Sequence, residues 1–194
     1  AYLLPTLRQL TFSKQKEPRI LILAPTRELA IQLEGEAKKL CTYMTVRVEC
    51  VYGGTNINTQ KIQLMNGVDV LVATPGRLLD LVLTNAVSIK HVKHLVIDEV
   101  DEMLDLGFRP QLTRIFEMMS PKRQNLLFSA TMTEEVDAMI NEYFRSPLTI
   151  EVMRSGTPLE RIDQKVYMAP NFYTKINLLE HLLEPGEAGV QLRR

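Results

Sequence analysis

The feature that most constrains the fold is an alternation between short apolar runs and segments with helical spacing. Six runs have the length and composition of strands: Arg19–Ala24, Val46–Tyr52, Val68–Ala73, His94–Asp98, Asn125–Ser129 and Leu148–Val152. Between them, apolar residues recur at the intervals of one helix face: Leu29, Leu33, Ala37 and Leu40, and then Leu112, Ile115, Phe116 and Met119. This alternation predicts an α/β domain with a mostly parallel sheet that helices cover on both faces.

Size, charge and cysteine content limit the class of protein. The 194 residues suffice for one core and part of a second domain. The 23 basic and 23 acidic side chains cancel, so any binding of a polyanion must come from local groups. Cys41 and Cys50 lack the spacing of metal ligands, which favours buried free thiols in a reducing compartment over a disulfide. Without a membrane-length apolar stretch or a signal peptide, we expect a cytoplasmic protein with no membrane partner.

One of the apolar runs ends abruptly in carboxylates, within the stretch 96–102. Ligands of parallel sheets collect just beyond the carboxyl ends of the strands. Of two adjacent acids there, Asp98 and Glu99, one can hold a Mg²⁺ ion through its water shell while the other orients an attacking water. The same acids also fit a solvated helix start, because the helix dipole favours negative charge at that end. A calcium loop is excluded, because its required glycine and distal glutamate are absent.

Two other strand ends carry an arginine within a possible helix start. Residues 25–27 follow the first strand, and residues 74–77 follow the third. Thr74 is predicted as an N-cap and Pro75 as the first helical residue. Free N–H groups at such starts bind anions, and an arginine there can fork onto a phosphate. Taken alone, either motif fits an ordinary cap with a solvated arginine better, because caps are common.

Two more strand ends carry glycines or hydroxyls. Gly53 and Gly54 permit close approach of a ligand, or form a plain turn. Ser129 and Thr131 can hydrogen-bond to the acids of the stretch 98–101, or belong to the cap of a helix that begins near Thr133.

Taken together, the order and spacing of these five motifs resemble the first RecA-like domain of DEAD-box ATP-dependent RNA helicases, as does the stretch 101–108. The resemblance covers residues 1 to about 152 and implies a RecA-like three-layer fold that is incomplete at its N-terminus. We therefore expect a RecA-like domain over residues 1–153, a linker over 154–161, and the truncated start of a second RecA-like domain over 162–194. Within that last part we expect an alternating strand over 162–168, a helix over 175–183, and a mobile tail after about residue 184.

The resemblance also implies roles for individual residues. Asp98 would hold Mg²⁺ through water, and Glu99 would position the water that attacks the γ-phosphate of ATP. Asp101, with Ser129 and Thr131, would couple the nucleotide state to closure on RNA. The RNA path would be lined by Pro25, Thr26, Arg27, Gly53, Gly54, Thr74, Pro75, Gly76 and Arg77. Such contacts go to phosphates and sugars, so the implied partner is single-stranded or duplex RNA, bound without sequence specificity and more weakly at high salt.

The sequence departs from the family pattern at two points. Val100 replaces the usual alanine of the acidic motif, a change that should be mild if its side chain faces the core. No glycine-rich phosphate loop with a lysine occurs, so we expect that these residues alone neither hydrolyse ATP nor unwind duplexes. Two other functions remain open: a non-catalytic RNA-binding or partner-docking module, and a DNA-directed helicase of a sister family, which the motifs at 25–30 and 129–131 fit less well.

Overall fold

A computed structural model describes residues 2–151 and 165–183 of the chain. Its contacts divide the chain into two units, Ala1–Ser155 and Gly156–Arg194. The strands of the first unit are β1 Ile20–Leu23, β2 Val48–Val51, β3 Val70–Ala73, β4 His94–Ile97 and β5 Gln124–Leu127. Its helices are α1 Leu3–Arg8, α2 Arg27–Leu40, α3 Ile57–Met65, α4 Pro75–Leu83, α5 Val100–Asp105, α6 Arg109–Met118 and α7 Glu134–Tyr143.

The five strands form one parallel sheet in the order β2-β3-β1-β4-β5. Every neighbouring pair is in step, so that Leu23 lies beside Ala73 on one side and Ile97 on the other. The predicted parallel α/β architecture is therefore confirmed, and the carboxyl ends of all five strands meet at one edge of the sheet.

Helices pack on both faces because alternate strand residues point to opposite sides. Leu21 and Leu23 belong to the core beneath α3, α4, α5, α6 and α7, whereas Ile20 and Ile22 belong to the core beneath α1 and α2. Full burial of each such side chain stabilises the fold by about 1.5–3 kcal/mol. The strands are consequently apolar throughout, which is the pattern that the sequence displays.

The amino end of the sheet is fastened by an ion cluster. Asp69, which directly precedes β3, is 2 % exposed and accepts hydrogen bonds from Arg19 at 2.8 Å and from the Nε of Arg47 at 2.9 Å. The same two arginines donate to the backbone carbonyls of Thr11 and Gln15. This cluster holds the 11–16 segment against the end of the sheet that lies opposite the predicted site.

The predicted sixth strand is wrong. Residues 148–151 belong to no strand, and the side chains of Leu148 and Ile150 are exposed; Val152 lies outside the described residues. An apolar run becomes a strand only where a neighbouring strand supplies its hydrogen bonds, and none of the described strands pairs with this run. One helix-face residue also differs, because Leu40 ends α2 with its side chain exposed.

The described part of the second unit consists of residues 165–171 without regular structure and helix α8, Phe172–Leu183. The helix contains the predicted 175–183 segment. Residues 165–168 of the predicted alternating run are not in a strand, and their side chains are exposed. The predicted linker at 154–161, the start of that run and the predicted mobile tail lie outside the described residues.

Candidate functional site

The register of the sheet brings the five sequence motifs together at one edge. Along this edge the strands that end in Gly53-Gly54, Thr74–Arg77 and Pro25–Arg27 are adjacent, in the order β2, β3 and β1. The strands that end in Asp98–Asp101 and Ser129–Thr131, β4 and β5, continue the row. The groups predicted to bind RNA and the groups predicted to act on ATP thus occupy neighbouring halves of a single edge.

Asp98 is the first residue beyond β4, and its backbone N–H donates to the carbonyl of Leu23 in β1 at 3.1 Å. Its Oδ2 accepts a hydrogen bond from the hydroxyl of Tyr2 at 2.5 Å. Its Oδ1 accepts none from the described residues. The hydrogen bond to β1 therefore fixes the backbone of Asp98. Tyr2 fixes one of its carboxylate oxygens, and the other oxygen stays available.

Glu99 adopts a left-handed backbone conformation, with φ 51° and ψ 53°, and caps α5 without a side-chain hydrogen bond. Non-glycine residues adopt this conformation at a cost, and such strain is often found at functional sites. Partial loss of solvent, followed by the charges of Asp98, Glu102 and Asp101, raises the pKa of Glu99. A carboxylate with a raised pKa is a better acceptor for a proton from water.

Asp101 is buried and is linked to the motif after β5. Its Oδ2 accepts hydrogen bonds from the backbone N–H of Thr131 at 2.9 Å and from the Thr131 hydroxyl at 2.8 Å. Burial would raise the pKa of Asp101, but the hydrogen bonds, led by those of Thr131, hold it below its usual range. The Ser129 hydroxyl donates to the carbonyl of Thr131 at 2.6 Å. The predicted grouping of these three residues agrees with this geometry, and the Oδ1 of Asp101 is buried without a partner among the described residues.

Val100 lies between these acids and is fully buried in the core beneath α5. Its N–H donates to the carbonyl of Phe128 at 3.1 Å. The extra methyl groups at this position therefore pack inward, as expected, and away from the acids on either side.

The motif after β1 begins helix α2. Thr26 is the N-cap, and its hydroxyl accepts the N–H of Leu29 at 3.3 Å. Pro25 is buried, whereas Arg27 is exposed and places its guanidinium 4.8 Å from the centre of the Tyr52 ring. Since Tyr52 directly precedes Gly53, this cation–π contact joins the motif after β1 to the motif after β2.

The motif after β3 begins helix α4 with Thr74 as N-cap and Pro75 in the first turn, as predicted. Both are buried, and the N–H of Thr74 donates to the carbonyl of Val51 in β2 at 3.0 Å. Arg77 donates from Nη1 to the side chain of Gln60 and from Nη2 to the carbonyl of Thr55, each at 2.8 Å.

Gly53 and Gly54 form an exposed turn. Gly54 has a φ of +79°, and a Cβ at either residue would meet no atom within 4 Å. A left-handed φ favours glycine at residue 54, and the free space leaves the backbone of both residues open to a ligand.

Sequence reasoning missed two residues that shape the site, Tyr2 and Gln60. Tyr2 gave no signal, because its partner Asp98 is 96 positions away. Gln60 did give one: it occupies the buried face of α3 together with Leu64, where an apolar residue is expected. A polar side chain at such a position indicates a specific hydrogen-bond network.

The acids fit a Mg²⁺ ion that retains most of its water. In the part of the chain that the structure describes, no three His, Cys, Asp or Glu side chains are grouped so as to hold a metal by themselves. Mg²⁺ is commonly held by one or two carboxylates together with water and phosphate oxygens. The Oδ1 of Asp98, which accepts no hydrogen bond from the described residues, is a carboxylate oxygen of the kind that such an ion and its waters would need.

Two predictions from composition can be compared with the structure. Cys41 and Cys50 are buried free thiols, as expected. Among the described helices, none combines the length and the apolar character that a membrane crossing requires.

A parallel sheet between two helical layers, with acids and hydroxyls gathered at its carboxyl edge, is the arrangement expected of a RecA-like α/β domain. The family model of the DEAD/DEAH box helicases matches residues 1–139. The chain therefore belongs to this family.

Similar proteins come from plants, fungi and animals. The chain is 43 % identical over 178 residues to "DEAD-box ATP-dependent RNA helicase 52A" of Oryza sativa subsp. japonica, which covers 90 % of the chain and 29 % of that protein. It is 37 % identical over 171 residues to "ATP-dependent RNA helicase DBP2" of Vanderwaltozyma polyspora, and this match covers 88 % of the chain and 39 % of that protein. It is 35 % identical over 196 residues to "Probable ATP-dependent RNA helicase DDX46" of Homo sapiens, and this match covers 96 % of the chain and 19 % of that protein. The chain thus spans well under half the length of each of these relatives.

Proposed function

We propose that this chain is the first RecA-like motor domain of an ATP-dependent RNA helicase. It binds RNA through the sugar-phosphate backbone and, in the complete protein, takes part in the ATP hydrolysis that unwinds or remodels RNA. The observation that carries the proposal is the register of the sheet, which brings the exposed arginine after β1, the glycines after β2 and the acids after β4 to the same edge of the sheet. The names of the relatives support both ATP and RNA as ligands.

The hydrolytic half would work through oxygen atoms already in place. Asp98, oriented by Tyr2, would help to hold Mg²⁺ through its Oδ1, and the bound ion would neutralise charge on the phosphates. Glu99 orients the attacking water and accepts its proton, a role that its raised pKa favours. The buried Asp101, joined to Thr131, links this half to the motif after β5.

The RNA half would contact phosphates and sugars without reading bases. Arg27 supplies an exposed cation, and the turn at Gly53 and Gly54 supplies open backbone. Thr26, Thr74 and the helix start that contains Gly76 complete the path, while the buried Pro25 and Pro75 shape its turns. Contacts of this kind carry no sequence code, so we propose RNA, single-stranded or duplex, as a partner bound without sequence specificity.

Location and domain boundaries form part of the same proposal. The buried free cysteines suit a reducing cytoplasm. We retain residues 1–153 as the motor domain, 154–161 as a linker and 162–194 as the start of a second RecA-like domain. The separate second unit with its helix α8 supports this division.

The RNA half is tested by the binding of this chain to a fluorescent oligouridine and to its deoxy counterpart across a range of salt concentrations. We expect preference for RNA and affinity that falls with salt. Arg27→Met should reduce the slope of log affinity against log salt by about 0.7, the value for one lost phosphate contact on a single strand. Arg114→Met, at an exposed position on α6, is the matched control. An equal reduction of the salt slope in the two variants, or a preference for the deoxy oligonucleotide, would contradict the proposal.

The hydrolytic half is tested in the complete protein. Glu99→Gln should retain ATP binding but reduce RNA-stimulated hydrolysis by at least about a hundredfold, because an aligned general base contributes that much or more. Glu17→Gln is the matched control, since Glu17 lies before β1 at the opposite end of the sheet. Absence of RNA-stimulated turnover in the unmodified complete protein would favour a non-catalytic RNA-binding module.

A further inference from the structure

Gln60 is a buried polar residue with a complete set of partners. It is 5 % exposed on α3. Its Nε2 donates to the carbonyl of Tyr52 at 3.1 Å and to the hydroxyl of Thr55 at 2.9 Å, and its Oε1 accepts from Arg77 at 2.8 Å. A buried amide is costly unless it is hydrogen-bonded, so these partners define one orientation of the side chain.

Arg77 extends the same network. Besides its bond to Gln60, its Nη2 donates to the carbonyl of Thr55 at 2.8 Å. Both terminal nitrogens of the guanidinium are therefore engaged inside the protein. The fork that the sequence suggested for a phosphate is directed at the Gln60 side chain and at the backbone of the neighbouring loop.

The network encloses the glycine turn from both sides. Tyr52 precedes Gly53-Gly54 and Thr55 follows it, and Gln60 bonds to both flanking residues. The glycines themselves have open space around them. Because glycine loses more freedom on ordering than any other residue, fixing a free turn of this kind on a ligand would cost conformational entropy. Fixing the flanks beforehand removes part of that cost from binding.

We propose that Gln60 and Arg77 are positioning residues that clamp the Gly53-Gly54 turn to the start of α4, so that the loops after β2 and β3 meet RNA as one preordered surface. This inference rests on the proposed RNA-binding function. In this arrangement Arg77 supports the neighbouring loop, and Arg27 is the exposed cation of the RNA path.

The clamp itself is tested without RNA. In Gln60→Met, which removes the hydrogen bonds but keeps a side chain of similar length, NMR order parameters of Gly53 and Gly54 should fall from about 0.85 to below about 0.6, the values typical of rigid and flexible backbone. Gln63→Met, on the exposed side of the same helix, should leave them unchanged. Equal order parameters in the two variants would overturn the inference.

Salt-dependent RNA binding separates support from direct phosphate contact. Gln60→Met and Arg77→Met should each weaken oligouridine binding by about tenfold, as expected for lost hydrogen bonds near 1.5 kcal/mol. Neither should alter the salt slope. The double variant should bind RNA no more weakly than whichever single variant has the lower affinity, because the two substitutions disrupt the same network. A slope reduced by about 0.7 in Arg77→Met alone would identify a phosphate contact and overturn the assignment.

The two proposals fail in different ways. If the unmodified chain does not bind oligouridine, the proposed function fails, and the order parameters still decide whether the clamp exists. If the chain binds RNA but Gln60→Met binds as tightly as Gln63→Met, the RNA-binding function stands and the positioning role of the clamp is overturned. Cooperative urea unfolding of every variant ensures that a change in affinity reflects the folded protein.

Discussion

The hydroxyl of Tyr2 donates to Oδ2 of Asp98 at 2.5 Å, which joins the start of α1 to the acid at the end of β4. The Tyr2 ring is buried, and its centre lies 5.0 Å from that of Phe128, just beyond β5. Burial and the hydrogen bond to Asp98 raise the pKa of Tyr2, so the phenol keeps its proton at neutral pH. One side chain thus connects α1 with two strands of the sheet and orients the residue proposed to hold Mg²⁺.

Tyr2→Phe should lower the free energy of unfolding by about 1 kcal/mol, because the ring packing is kept while the hydrogen bond to the carboxylate is lost. Urea unfolding at neutral pH measures the change. Tyr43→Phe is the control, since Tyr43 is fully exposed and should change stability by less than about 0.5 kcal/mol. Equal stability of the two variants would show that the hydroxyl of Tyr2 makes no net contribution.

Thr131→Val should destabilise the domain by about 1–2 kcal/mol, because it removes the hydroxyl that donates to the buried Asp101. The folded pKa of Asp101 is below its unfolded value, so the stability from this interaction is present above about pH 4 and is lost as pH falls through the folded pKa. In the variant this acid dependence should become shallower.

Urea unfolding between pH 7 and pH 3 tests the role of Thr131. Thr149→Val, at an exposed position outside any helix or strand, is the matched control and should follow the unmodified chain. If the stability curves of Thr131→Val and the unmodified chain run parallel across this range, the Thr131 hydroxyl does not set the pKa of Asp101.

The sequence was sufficient to predict the five strands of the sheet and the shared edge at which the polar motifs lie. Strands such as β1 and β3 are buried on both faces, so their apolar runs are unbroken and easy to recognise. Because parallel strands that are in step end together, the polar residues after each run had to share an edge. Thr74 was likewise correct as the N-cap of α4, and the helix predicted to begin near Thr133 begins at Glu134, because helix starts depend on a few neighbouring residues.

Contacts between distant residues could not be predicted in this way. The bonds from Tyr2 to Asp98 and from Gln60 to Arg77 depend on how helices lie on the sheet, which no local pattern records. The prediction of a strand over the exposed run around Leu148 is wrong for the related reason that a strand requires a partner strand. Arg77 does lie at the predicted edge of the sheet, but the direction of its guanidinium depends on the neighbouring loop.

Glu99→Gly should stabilise the isolated domain by about 1 kcal/mol while removing the proposed catalytic carboxylate. Glu99 has a left-handed backbone with φ 51°, which glycine adopts without the steric cost of a Cβ. Glu102→Gly is the matched contrast: Glu102 lies in the first turn of α5, where glycine should cost about 1 kcal/mol. Glu99→Gln separates backbone strain from charge repulsion, because it retains the side chain and removes only the charge. If Glu99→Gly is less stable than Glu99→Gln in urea unfolding, the strain interpretation is wrong.

Asp69→Asn should be the most damaging of these substitutions, with a loss of about 3 kcal/mol or more, because it leaves two arginines without their buried counter-ion. Asp69 accepts four hydrogen bonds from Arg19 and Arg47. Burial would raise the pKa of Asp69, but these bonds hold it below its usual range. The stability from the cluster is therefore present above about pH 4 and lost as pH falls through the folded pKa.

Urea unfolding at pH 7 and pH 3 measures this effect, with the exposed Asp80→Asn as the control. The difference between Asp69→Asn and the unmodified chain should be large at pH 7 and smaller at pH 3. Since the cluster lies at the amino end of the sheet, the fraction of Asp69→Asn that remains folded should bind oligouridine with unchanged affinity. If Asp69→Asn is as stable as Asp80→Asn at pH 7, the ion cluster does not hold the sheet together; if folded Asp69→Asn binds RNA more weakly, the two ends of the sheet are coupled.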